Sequence, residues 1–172
     1  MTKASSAPAF NPYEIYDTNE DYEVDGIWFV DPTQRYKLAR AGGRNKSFGN
    51  IHEAITKPFK RAIQTKTLPK DMDLELSHEL YAKAVVKNWS VASMVQDPKG
   101  KWVAEKDANG KTIWIDGKMF DPETFAVIDA TVENIIRAYK IKPELYSYHV
   151  QMSNEVQNFK DEDAEAADVK NS

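Results

Sequence analysis

The sequence predicts an α+β domain, mainly α-helical, with a short N-terminal β-hairpin packed on a helical core. A second hairpin is expected near residues 102–115, and disordered acidic stretches at both ends. Three observations carry this. Apolar residues recur at spacings of three and four in several segments, the signature of amphipathic helices. Short apolar runs are divided by Asp31-Pro32 and by Asn109-Gly110, which are turn cues. Both termini are acidic and carry no periodic apolar stripe.

Residues 1–25 hold Glu14, Asp17, Glu20, Asp21, Glu23 and Asp25 against Lys3. Such a stretch buries too little apolar surface to offset the entropy of ordering it, so a disordered tail is expected there. The domain is expected over 26–159, with a second acidic tail over 160–172. The run "GIWFVDPTQRYKLAR" reads as the first hairpin. Asn45 is placed to cap a helix with Phe48, Ile51 and Ile55 on one side. Pro58 lacks the amide a helix interior needs, so a break and a second short helix with Phe59, Ala62 and Ile63 should follow.

The next segment, "MDLELSHELYAKAVVKNW", places Leu74, Tyr81, Val85 and Trp89 in one line. Leu76, Leu80 and Ala84 widen that line, which predicts burial against a partner helix or sheet. "KWVAEKDANGKTIWIDG" gives the second hairpin. In "FDPETFAVIDATVENIIRAY", Asp121 is a good N-cap and Pro122 suits the first helical position, with Phe120 and Phe125 as a staple across it. Pro143 ends or restarts this helix, and a last one carries Leu145, Tyr148, Met152, Val156 and Phe159.

Chemistry-bearing motifs are sparse. The chain has no cysteine, which removes disulfides and thiolate ligands. No apolar run approaches the roughly 20 residues of a membrane span, and the N-terminus lacks a signal-peptide core. His52, His78 and His149 have no second ligand at metal spacing, so structural or surface roles are expected. Gly42-Gly43 fits neither phosphate-loop pattern and reads as a turn. No nucleophile elbow is present. Nothing in these residues argues for an enzyme, a cofactor or a metal.

The distinctive feature is charge. Between residues 35 and 70 lie ten Lys and Arg and one acid, Glu53, in a chain of formal charge −4. Three readings compete: a solvated face screened by the acidic ends, a nucleic-acid site at Arg40, Arg44 and Lys46, or a docking surface for a partner protein. The acidic overall charge disfavours nucleic acid. A protein partner would be steered by the cations and held by apolar burial.

The order of motifs "GIWFVDPTQRYKLARAGGRNKSF", "TKPFKRAI" and "ELYAKAVVKNWS" resembles the tail assembly chaperones of long-tailed bacteriophages. The matching positions are Arg40, Ala41, Asn45, Phe48, Lys57, Pro58, Phe59, Lys60, Arg61, Glu79, Ala82, Val85, Val86 and Trp89. The resemblance covers residues 26–91 closely and 117–141 loosely. It implies a non-enzymatic protein of the host cytoplasm that binds and solubilises the tape measure protein and is absent from the mature virion. It also implies self-association and contacts with the tail-tube protein. Many members have a longer frameshifted form. On this view Arg40, Arg44, Lys57, Phe59, Lys60, Arg61, Ile63, Tyr81 and Trp89 contact the partner. Core packing is the competing reading for Tyr81 and Trp89. The functional alternatives are a structural or adaptor protein retained in the virion, and a small nucleic-acid-binding module using residues 35–70.

Overall fold

Asp31 closes the first hairpin. Its Oδ1 accepts the amides of Thr33 (2.8 Å) and Gln34 (2.7 Å), turning β1 (Ile27–Val30) back into β2 (Gln34–Leu38). The computed structural model describes residues 10–161 and builds a mixed α+β fold on this hairpin. β2 pairs antiparallel with β3 (Val86–Ala92), and β3 with β6 (Trp114–Asp116), giving the order β1-β2-β3-β6. Two further ladders are β4 (Met94–Gln96) with β5 (Trp102–Ala104), and β7 (Lys118–Phe120) with β8 (Val127–Asp129).

The helices are α1 (Glu20–Asp25), α2 (Lys46–Thr56), α3 (Lys60–Gln64), α4 (Lys70–Ala84), α5 (Val132–Ile141) and α6 (Pro143–Asn154). α4 packs on α2, α5, α6 and β3. The two-residue period of β2 sends Tyr36 and Leu38 to one face. There they meet Trp89 of β3, Leu80, Tyr81 and Ala84 of α4, and Ile135 and Tyr139 of α5 in one buried cluster. Tyr36 sits edge-on to Trp89, with ring centroids 4.8 Å apart. On the opposite face the Arg35 guanidinium lies between Trp28 and Trp114, 4.1 and 5.0 Å from their rings, and pairs with Asp116.

The acidic N-terminal stretch departs from the expected tail. Residues 1–9 lie outside the described part, but Glu14–Tyr16 forms a 3₁₀ turn and Glu20–Asp25 a helix capped by Asn19. Glu23 of that helix is fully buried. It pairs with Arg40 and accepts the Arg44 amide at 3.2 Å. α1 also packs on a 3₁₀ turn at Val156–Phe159, where the Asn19 amide donates to the Phe159 carbonyl at 2.7 Å. An internal ion pair and a buried Phe159, not apolar periodicity, order this segment. Of the expected C-terminal tail, residues 162–172 lie outside the described part.

Gly26 joins α1 to β1 with φ 87° and ψ 165°, a region that side chains other than hydrogen rarely enter. A Cβ there would stand 2.9 Å from the Leu38 carbonyl carbon. Gly26→Ala should therefore cost about 2 kcal/mol of stability. An unchanged urea midpoint would contradict this.

Three other expectations are corrected. The middle helix stops at Ala84, and Trp89 lies in β3, paired with Tyr36. The β-branched Val85 and Val86 leave the helix and the sheet takes over. The Trp102–Ile115 segment is hairpin-like only around its tip, where Lys106 bridges Thr112. Farther out its arms separate: β5 pairs with β4 and β6 with β3. Asp121 begins no helix. Its Oδ1 accepts the amides of Glu123 (2.9 Å) and Thr124 (3.0 Å) in the β7–β8 turn, which Phe125 closes at φ 62°. The helix starts at Val132, capped by Thr131.

Candidate partner-binding groove

α2 and α4 pack along each other because Phe48, Ile51 and Ile55 lie on one side of α2 and turn toward the core. Pro58 then breaks the helix as predicted. A 3₁₀ turn (Lys57–Phe59) and the short α3 follow, and α3 ends where Lys66 takes a left-handed φ of 55°. The chain returns through Pro69 into α4. This detour holds α3 away from α4 and leaves a groove of about 580 Å³ between the three helices.

The groove has apolar walls and a charged rim. Ile55 of α2, Ile63 of α3 and Leu76 and Leu80 of α4 supply the apolar surface, and Ile63 is 42 % exposed. Lys57 and Lys60 line the α3 side, while Glu53 comes from α2 and Asp73 from α4. His52, Thr56, Gln64 and Ser77 complete the lining. On the first turns of α4 Met72 and Leu74 are also exposed.

The basic segment splits into two parts with different fates. Arg35, Arg40 and Arg44 meet Asp116, Glu23 and Glu20. By contrast, Lys37, Lys46, Lys57, Lys60, Arg61, Lys66 and Lys70 form no ion pair with any described residue. Of these, Lys57 and Lys60 line the groove and Arg61 lies beside them on α3. Their positive charge stays available to an external partner.

Of the expected contact residues, Lys57, Lys60 and Ile63 come together in the groove. Arg61 is exposed on α3 and Phe59 is half-buried beside it. Arg40 is committed to the buried Glu23, and Arg44 faces the same helix. Tyr81 and Trp89 belong to the core, so neither is a contact residue in the folded protein. Tyr81 stacks edge-on with Phe48, and its hydroxyl accepts from Asn154 at 2.9 Å. Trp89 is 1 % exposed and its Nε1 donates to Gln34 at 3.2 Å. The sequence reading missed Leu76 as a groove residue, with the core residue Leu80 forming the floor beneath it. Its signal is the unusual width of the α4 stripe, which one partner helix could not cover.

Two histidines lie inside the fold. Burial, with the nearby Lys140, holds His78 below the usual imidazole range, although Glu75 opposes this. Among the described residues no group of three or more His, Asp or Glu side chains is placed to hold a metal ion. No helix among them is long and apolar enough to cross a membrane. Comparison with protein-family models, curated proteins and solved structures finds no match for this chain.

Proposed function

We propose that the protein is a tail assembly chaperone of a long-tailed bacteriophage, binding apolar helical stretches of the tape measure protein in the groove between α2, α3 and α4. The carrying observation is the pairing of an apolar groove with cations that form no ion pair with any described residue. A helix with a hydrophobic stripe and flanking acids is the ligand such a surface fits. Its stripe would cover Ile55, Ile63 and Leu76, and its acids would meet Lys57, Lys60 and Arg61. The motif resemblance supports the same segment, since the "KPFKR" break forms the wall that carries these lysines. In this reading the protein makes and breaks no bonds. It acts in the host cytoplasm and leaves before the particle is complete.

Co-expression with the client tests the reading: the client should become soluble and co-purify. Lys57→Glu, Lys60→Glu and Arg61→Glu together should weaken capture by about tenfold or more. The far-ultraviolet circular dichroism should not change, because all three side chains are exposed. Unchanged capture would return the patch to solvent. Finding the chain in purified particles by mass spectrometry would overturn the chaperone role.

A further inference from the structure

We propose that the loop 40–45 is an oxyanion site that the chain fills with its own Glu23 carboxylate, and that a free phosphate or carboxylate displaces α1 to occupy it. Two cations and a backbone amide converge there. Glu23 Oε1 accepts from the Arg40 guanidinium. Its Oε2 accepts the Arg44 amide at 3.2 Å, with Arg44 Nε 4.0 Å away. Guanidinium and amide donors of this kind hold phosphates as well as carboxylates. Gly42-Gly43 matches neither phosphate-loop pattern in sequence, yet Gly43 brings the backbone against the charge. Its φ is 54°, and its Cβ position lies 2.8 Å from Glu23 Oε1.

The loop is braced independently of α1. Asn45 is 2 % exposed, and its Nδ2 donates to the Arg40 carbonyl at 2.9 Å and the Ala84 carbonyl at 3.2 Å. The Asn45 amide donates to the Gly42 carbonyl at 3.0 Å, and the Ala41 amide to the Ser153 carbonyl at 2.9 Å. These bonds tie the loop to α4 and α6, so its donors stay in place when the carboxylate leaves. Such preorganisation lowers the ordering cost of binding an external ligand.

α1, by contrast, is held by charge and a few hydrogen bonds. It is six residues long, and Glu23 is the one of them that is buried. A helix this short does not persist without tertiary contacts. Beyond the carboxylate, the Glu23 carbonyl accepts the Arg40 amide at 2.9 Å, and the Asn19 cap is tied to Phe159. Solvent reaches the site along the Arg44 side chain, which is 56 % exposed. An oxyanion can therefore approach before Glu23 has left. It competes with a tethered carboxylate, whose effective concentration is on the order of millimolar or higher. The site lies apart from the groove, and nothing in it depends on the client.

The test uses the full chain with inorganic phosphate or acetate, against sodium chloride at equal ionic strength. In the wild type, hydrogen exchange at the α1 amides should quicken as either anion rises, while the β2–β3 amides stay protected. Glu23→Ala empties the site and keeps its donors. The anions should then raise the urea midpoint of this variant in a saturable way. Half the effect should come at a concentration about tenfold or more below that needed to open α1 in the wild type. Adding Arg40→Gln should abolish the gain, whereas the general salting effect of phosphate survives in the double variant. If Glu23→Ala does not fold, the same anions should restore its folding, and their failure to do so counts against the site. A response to phosphate without acetate marks a phosphate site, and the reverse a site for carboxylates. Exchange in α1 that follows ionic strength alone overturns the proposal, and so does a midpoint gain that Arg40→Gln leaves intact.

Discussion

Glu23→Ala should lower folding stability by about 3–5 kcal/mol, the usual cost of removing one partner from a buried ion pair. Glu23 is 0 % exposed and its carboxylate takes both the Arg40 guanidinium and the Arg44 amide. Alanine would leave the Arg40 side chain, only 22 % exposed, without its counter-charge and the amide without an acceptor. Glu23→Gln keeps one acceptor and should cost less. Urea unfolding measures both. A loss within about 0.5 kcal/mol for the alanine variant would mean that α1 is an ornament on a domain that begins at Gly26.

How legible each element was depends on where its determinants lie. The β1–β2 hairpin and the break at Pro58 are written within a few residues: Asp31 supplies both turn bonds, and proline has no amide to give. Asp121 misleads because an N-cap and an Asx turn begin with the same two hydrogen bonds. What separates them is Phe125 at positive φ and the pairing of Val127–Asp129 with β7, and neither is local. Trp89 stands four residues after Val85, a helical interval by coincidence, while its real neighbour is Tyr36 across the sheet. Glu23 is buried by Arg40, seventeen positions away, so charge counting reads it as solvated. The groove was half legible. Its cations and Ile63 stand out in the sequence, but the gap that makes them a site arises from how α3 is held off α4.

His149 makes acid the second large challenge to the fold. It is fully buried among Tyr36, Trp89 and Tyr139, and its Nδ1 shares a 2.7 Å hydrogen bond with the Tyr139 hydroxyl. Burial lowers its pKa from 6.5 to about 3. A charged ring would have two N–H groups to satisfy, and Nε2 has no partner. The depressed value fixes the sign: between pH 6.5 and about 3 the unfolded chain holds a proton that the folded chain refuses. Stability is therefore complete above pH 6.5 and falls as acid is added, by up to about 1.4 kcal/mol per pH unit and about 5 kcal/mol in all. His78, also held low by burial, acts with the same sign. Asp121, lowered to about 2 by the Thr124 amide, Arg137 and the Glu123 amide, gives way only at lower pH. His149→Gln keeps an acceptor for Tyr139 and cannot titrate. Its stability should fall much less than that of the wild type between pH 6.5 and 4, so the two curves converge on acidification. Parallel curves would show that the imidazole is protonated inside the fold without penalty, and the aromatic cluster would then be far wetter than its packing implies.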